Sequence, residues 1–372
     1  MNDEDPNQPS EAWCRELQET EQAMQADKGT SSNRFVLYLD PQRTVPMLFR
    51  YVPPTQGNFW IGAADASVYI NDDVSYDSEP ITQIEIPYGY WMATFPTTQQ
   101  QWGTIEALMG KVSPSKSEFQ GRYRPMENIS WDDCQEWLST LKSQQHVQEQ
   151  LKRLNPSKVP AENHEGADPS LRWTIRLPAE AHWEWACRAT QAKGDPNKWV
   201  TGMTQYHAGD GTTALQRCGW YSDNSSEHTH RVGEKEPNTL GLYDMHGNVW
   251  EWCEDAWMPN YSHLTNGMSV MEMLEISKRE GDQRLRVFRG GGWGNSAGWC
   301  LSAVRVGWGP GYRDWNGGFR VGLFPGPNRA QASKAQADLE QRRAAETLRE
   351  SDESQRAGIT KMSKPPRSGE NF

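Results

Sequence analysis

Eighteen tryptophans in 372 residues constrain this chain more than any other feature. One Trp ring buries ~150–250 Å² of surface, so a few of them can fill a core that is poor in aliphatic residues. Long apolar runs are scarce, and the mean hydropathy is -0.86. That value is low for a compact protein of this size and points to polar tails or long polar loops around an aromatic interior. Most rings are therefore expected inside. Because Trp is also enriched at recognition hot spots, the remainder are expected at a surface site.

Charge narrows the partners. Asp and Glu outnumber Lys and Arg 49 to 38, for a net charge of -11. Polyanions are poor partners for such a chain, so neither nucleic acid nor an anionic membrane surface is expected. No stretch approaches ~18 apolar residues, so no membrane span is expected. Residues 1–13 are acidic and polar rather than basic and then apolar, which gives no secretory signal pattern. A cytoplasmic location with mostly reduced thiols is the default. The cysteines are Cys14, Cys134, Cys187, Cys218, Cys253 and Cys300, without a zinc-type pair of CxxC motifs.

Texture divides the chain into three: a polar N-terminal segment (1–32), one large irregular domain (33–326) and a charged tail (327–372). The first carries a short helix around Glu11–Gln25. Short strands are predicted at Phe35–Leu39, Leu48–Val52, Phe59–Gly62, Ile81–Ile86 and Tyr88–Phe95. A helix starts at Thr97 or Thr98, with Trp102, Ile105 and Leu108 at helical spacing. A second starts at Ser130 with Asp133 as a loose capping box, burying Cys134, Trp137, Leu138 and Leu141. A third opens at Pro178-Ala179-Glu180, with Trp183, Ala186 and Cys187 inward. From there to Leu323 the chain reads as loop and short strand, leaving many backbone groups in need of partners. The tail, with Leu339 and Leu348 as its large apolar residues, reads as a solvated docking helix or a disordered segment.

Four strings carry a family resemblance. Arg176-Leu177-Pro178-Ala179-Glu180-Ala181-His182-Trp183-Glu184-Trp185-Ala186 is similar to RLPTEAEWEYA. Gly241-Leu242-Tyr243-Asp244-Met245-His246-Gly247-Asn248-Val249-Trp250-Glu251-Trp252 looks like GLYDMxGNVWEW. Arg286 to Trp293 is similar to RVxRGGSW, and Gly318-Phe319-Arg320-Val321 to GFRV. Weaker echoes lie at Gly57–Gly62 and Asn128–Asp133. Together they resemble the formylglycine-generating-enzyme, or sulfatase-modifying-factor, family. The resemblance implies an α+β, irregular, loop-rich C-type-lectin-like fold. The strings themselves read as scaffold and identify fold rather than function.

The family's enzymes oxidise a substrate cysteine with a copper-binding cysteine pair after the GGSW-type turn. Here that turn is followed by Gly294-Asn295-Ser296-Ala297-Gly298-Trp299-Cys300, with one cysteine and a shortened loop before Ser302-Ala303-Val304-Arg305. One thiolate makes a poor Cu(I) site, so no copper and no catalytic residues are expected. His228 and His230 form an HxH pair without further sequence-near ligands. Calcium is the metal that the resemblance carries over as a structural cofactor. Its ligands would be Asp244, the carbonyls of Gly247 and Val249, and Glu251, a hard oxygen set.

The short loop resembles the variable region of diversity-generating-retroelement proteins. In those, fixed Ser-Ala, Arg, Pro, Arg and Gly-Phe-Arg residues are interleaved with positions varied at template adenines. Within the segment 286–322 the interleaved positions are Gly294, Asn295, Ala297, Trp299, Val304, Val306, Gly307, Trp308, Gly309, Gly311, Tyr312, Asp314, Trp315 and Asn316. Aromatic anchors among small residues resemble a paratope. The reading is a ligand-binding protein whose residues 294–317 meet a protein or cell-surface ligand, with the C-terminal tail as a further partner site. The rival readings are a catalytically divergent oxidoreductase or regulator using Cys300, and a structural domain docked through its tail.

Overall fold

The computed structural model describes residues 5–26, 33–63, 78–110, 117–154, 173–189 and 204–325. Several of its helices begin where a nearby side chain satisfies one of the first free N–H groups. Helix α1 (Glu11–Ala26) grows out of the polar N-terminal segment and buries Ala12, Trp13, Glu16 and Thr20. The Glu16 carboxylate is paired with Arg50 and, at 2.5 Å, with Arg34. Helix α2 (Gln99–Glu106) opens on Thr98, whose hydroxyl accepts from the Gln101 N–H while the Gln101 side chain caps Thr98 in return. Helix α3 (Trp131–Ser143) repeats the device with Ser130 and Asp133. Each such reciprocal cap satisfies two otherwise orphaned donors. Cys134, Trp137, Leu138 and Leu141 are fully buried, as their spacing predicts. Leu108 is not: the chain tightens into a 3₁₀ turn at Ala107–Met109, which rotates that residue to solvent.

Two further helices correct the expectation of loop and short strand beyond Cys187. They are α6 (Gly211–Cys218) and α7 (Val270–Glu280). The second carries a capping box, Ser269 with Glu272, that the sequence reading passed over. Two eight-residue strands, β9 (Trp250–Trp257) and β11 (Asp282–Arg289), also lie there. All but one residue of β9 is buried, so the polar–apolar alternation that marks a half-exposed strand is absent. Between α3 and β9 in sequence lie α4 (Gln145–Arg153) and α5 (Glu180–Arg188).

Among the described residues, short strands assemble into four sheets. The largest joins β1 (Arg34–Tyr38), β2 (Pro46–Val52), β5 (Tyr90–Ala93), β14 (Gly322–Pro325) and β6 (Trp173–Arg176) in that spatial order, all antiparallel. A second aligns β3 (Asn58–Ile61) with β4 (Thr82–Glu85), and β4 in parallel with β10 (Met268–Ser269). The third has the order β12–β11–β9–β13, with β12 (Arg305–Trp308) at one edge and β13 (Gly317–Phe319) at the other. A two-residue parallel pair, β7 (Gly219–Trp220) and β8 (His246–Gly247), makes the fourth.

Tryptophan fills the interior as composition requires. Trp91, Trp137, Trp183 and Trp252 are among the largest fully buried side chains. The Trp102 and Trp137 rings stack at 5.9 Å, and Phe319 meets Trp137 edge-on at 5.4 Å.

The family strings are tied together by buried ion pairs. Arg289 meets Glu184, and both side chains are fully buried. Arg305 forks onto Glu180 at 2.6 and 2.8 Å, and Tyr261 donates to the same carboxylate at 3.0 Å. Burial pushes the Glu180 carboxyl up, but Arg305 and Arg289 outweigh this and hold it below its usual range. Arg320 binds Glu251 at 2.7–3.1 Å and donates to the carbonyls of Ala93, Thr94 and Tyr243. Trp183 donates its indole N–H to Glu251 at 2.7 Å. Each charge thus has a counter-charge and further hydrogen bonds, which is the condition for holding charges in a low-dielectric interior.

Candidate functional site

The face carried by residues 294–316 begins at a turn that only glycine fits. Gly290 and Gly291 have φ of 98° and 74°. A Cβ on Gly291 would lie 2.6 Å from Cys300 Sγ and 2.9 Å from the Trp299 carbonyl oxygen. The turn is anchored to the β8 segment: Gly247 N–H donates to the Gly290 carbonyl at 2.8 Å and Trp293 N–H to that of Asn248 at 2.9 Å.

Polar side chains then frame the loop. Asn295 Oδ1 accepts from the Trp250 indole at 2.8 Å and from Gly292 N–H at 3.0 Å. Asn316 Oδ1 accepts from Gly294 N–H at 3.1 Å, and its carbonyl from Trp250 N–H at 2.6 Å. Asp314 accepts from the Tyr312 hydroxyl and from Asn316 N–H, both at 2.7 Å. Arg313 forks onto Asp133 of α3 at 2.8 and 2.9 Å. Loop residues held this way are pre-organised, so their ordering cost is already met.

On this frame stand the aromatics. Trp308 and Trp315 are 44% and 53% exposed, and they are the exposed large tryptophans among the described residues. The Trp308 and Tyr312 rings stack at 4.4 Å with an 11° interplanar angle. Strand pairing sets Arg286 opposite Trp308, and the Arg286 guanidinium lies 4.6 Å from the Trp131 ring.

The sequence-predicted positions divide accordingly. Gly294, Gly311, Trp308 and Trp315 are exposed. Ala297, Val306, Gly307, Gly309 and Tyr312 are half-buried, while Asn295, Asp314 and Asn316 are half-buried and occupied in the frame. Trp299 is half-buried and leans on the core, its ring edge-on to Trp250 at 6.4 Å. Val304 is a correction: it lies buried in the main core and cannot meet a ligand. It precedes β12, whose next residue, Arg305, is drawn in by Glu180.

The two carboxylates that the resemblance assigns to calcium have protein partners here. Both Glu251 oxygens accept from Arg320 or Trp183. The buried Asp244 carboxyl accepts from Gly233 N–H at 2.8 Å, and burial pushes it up to about 6. Arg320 thus supplies a positive charge beside Glu251, at the turn that also carries Asp244, Gly247 and Val249. His228 and His230 are likewise engaged. His230 stacks on Trp220 at 3.7 Å and its Nε2 meets the Ser225 carbonyl at 2.7 Å.

Cys300 is fully buried, and burial pushes its thiol far up. Such a thiol is not a ready thiolate. Sequence reading missed what surrounds it. His246 Nδ1 contacts the Cys300 carbonyl at 2.8 Å, and Cys187 Sγ lies 3.6 Å from His246 Nε2. These residues are distant in sequence, so no spacing motif announces them. A separate cleft of about 710 Å³ is lined by residues that include Arg15, Arg124, Trp220, Lys235 and Tyr243. The proposed partner site in the tail lies outside the described residues. Among the described residues, no helix is long and apolar enough to cross a membrane.

Fold and site together define an irregular α+β scaffold of the C-type-lectin type, laced by buried ion pairs and presenting one framed aromatic loop face. The chain belongs to the family of the sulfatase-modifying factor enzyme 1-like domain, which matches residues 43–322. It is similar to the chaperone protein LppX of Paenibacillus barcinonensis, at 25% identity over 247 residues, covering 60% of this chain and 74% of that one. It is also similar to the formylglycine-generating enzyme of Mycobacterium tuberculosis, at 38% identity over 98 residues, covering 24% of this chain. That match spans 30% of the enzyme's own length. Among solved structures, Treponema denticola variable protein 1 is similar with a TM-score of 0.51 and 23% identity, covering 79% of this chain and 100% of that one. PvdO from Pseudomonas aeruginosa is similar with a TM-score of 0.53 and 19% identity, covering 79% and 99%. At such identities the likeness establishes the fold.

Proposed function

We propose that this chain is a ligand-binding protein rather than an oxidase, and that it recognises a protein or cell-surface ligand through the 294–316 face. The observation that carries the reading is the contrast within one segment. Asn295, Asp314, Asn316 and Arg313 are spent on the frame, whereas Trp308 and Trp315 stand in solvent. Exposed rings cost solvation unless something covers them, and rigid aromatics on a polar frame are the usual anchors of a paratope. The buried thiol of Cys300 supports the same side, since copper chemistry of the family type needs accessible thiolates.

The finer reading is that the face is diversified by a retroelement. Sequencing the DNA around the gene tests it. A nearby near-copy of the segment encoding 286–322, differing at template adenines beside a reverse-transcriptase gene, is the expected result. Its absence would mean a fixed surface for one partner. Trp codons do not arise from AAC by adenine changes alone, so Trp308 and Trp315 would be fixed anchors or come from other codons. The rival enzyme reading draws on the formylglycine-generating relatives. It requires copper or iron bound at sub-micromolar affinity and lost in Cys300→Ser; unchanged metal content in that variant removes it.

A further inference from the structure

Three donor side chains left unused by the binding face meet beneath it. His207 lies in the tight segment closed by the Tyr206–Gly209 bridge. Cys218 ends α6, and His246 begins β8. The parallel pairing of Gly219 with His246 draws the last two together. It needs glycine, because a Cβ there would lie 2.3 Å from the His246 carbonyl oxygen. One donor atom from each of His207, Cys218 and His246 lies within 4.8 Å of the others.

The surroundings prepare these donors for a cation. The contact of His246 Nδ1 with the Cys300 carbonyl at 2.8 Å makes Nδ1 the protonated nitrogen and leaves Nε2 with its lone pair. A backbone carbonyl on the outer nitrogen is the usual way a ligating histidine is oriented. His207 Nε2 is buried and has no hydrogen-bond partner, an unmet demand that a packed core ordinarily avoids. Cys187 Sγ lies 3.6 Å from His246 Nε2 but falls outside this three-residue group. His246 Nε2 also accepts from His207 N–H at 3.0 Å, a bond that a metal would replace.

We propose that His207, Cys218 and His246 form a zinc site. Two imidazoles and a thiolate are a nitrogen and sulfur set suited to this borderline-soft ion. On binding, the Cys218 thiol gives up the proton it now directs at the Ala214 carbonyl, 3.3 Å away. That proton passes to solvent, and the sulfur lone pair bonds to the metal without any change of oxidation state. The ion would pin the base of the 294–316 loop, because His246 already holds the Cys300 carbonyl. This inference stands on its own geometry, apart from any ligand at the face above.

The test uses the full chain, reduced and stripped with a chelator, then titrated with zinc sulfate against a chromophoric zinc indicator. Saturable one-to-one binding is expected, together with a thiolate-to-metal charge-transfer band when cobalt(II) replaces zinc. Cys218→Ser should abolish the band. His207→Ala, at a half-buried position that tolerates change better, should weaken zinc by roughly 100-fold or more, since even lost outer-shell partners cost roughly 10–100-fold. Cys253→Ser, buried elsewhere, should keep both the band and the affinity. Circular dichroism of each variant establishes that it folds. Absence of saturable zinc binding by the wild type would overturn the proposal, as would unchanged affinity in folded Cys218→Ser and His207→Ala. Tight binding of copper(I) without zinc would overturn the assignment of the metal.

Discussion

Replacing Arg320 with Met tests the buried network at its most loaded point. The guanidinium neutralises Glu251 and donates to the carbonyls of Ala93, Thr94 and Tyr243, and its side chain is fully buried. Met keeps much of the volume and removes every donor. Stranding one member of a buried ion pair costs about 3–5 kcal/mol, and a carbonyl that loses its last donor roughly 1–3 kcal/mol more, although the Thr94 carbonyl keeps the Tyr243 N–H. Protonation of Glu251 and local relaxation recover part of this, so a net loss of about 4–6 kcal/mol is expected. A domain typically has about 5–15 kcal/mol in all, so the variant should unfold at far lower urea or be unfolded outright. Urea titration followed by Trp fluorescence and far-ultraviolet circular dichroism measures it. The double variant Arg320→Met with Glu251→Gln should cost less than the sum of the two single changes, because the stranded charge is gone. A loss below about 1 kcal/mol for Arg320→Met would refute the network, since that is the worth of an exposed pair. The same variant probes calcium. If an ion rather than Arg320 neutralises Glu251, EGTA will lower the melting temperature of the wild type and millimolar calcium will rescue the variant; the geometry predicts neither.

Three further outcomes follow from particular contacts. Trp308→Ala and Trp315→Ala should each change stability by no more than about 1 kcal/mol, while reducing the fraction of fluorescence quenched by iodide; a much larger loss would mean that these rings are packed. Gly291→Ala should cost at least about 2 kcal/mol, from left-handed strain and a clash with Cys300 Sγ together, and a neutral result in urea would refute the turn. Burial raises the Asp255 carboxyl to about 7, against about 3.9 in an unfolded chain. Between those values the folded state binds the extra proton, so this group's contribution to stability falls as pH rises through the window. Asp255→Asn should flatten the pH dependence of unfolding from about pH 4 to 7, and an unchanged profile would exclude a buried, protonated Asp255.

Local rules made part of this molecule legible from sequence. The capping boxes at Thr98, Ser130 and Ser269 need residues three apart, so they are written in the chain itself. Trp137 and Leu141 follow from helical period, and the glycines at 290 and 291 from a turn that demands positive φ. The signature strings fixed the family because the fold needs those charges and glycines at those places. Which charge meets which was decided only in three dimensions. Glu180 and Arg305 lie 125 positions apart, and Glu251 and Arg320 lie 69 apart, beyond the reach of any spacing rule. Exposure was decided there too. Trp299, Trp308 and Trp315 read alike among glycines, yet one leans on Trp250 while two stand in solvent. Val304 looks like its neighbour Val306 in sequence, but only the first is drawn inside, next to an arginine that must reach a buried glutamate. His207, Cys218 and His246 share no motif, and they converge because a two-residue parallel pair closes over Gly219. Caps and turns are set by neighbours in the chain, whereas burial, ion pairing and metal geometry are set by whatever the fold brings alongside.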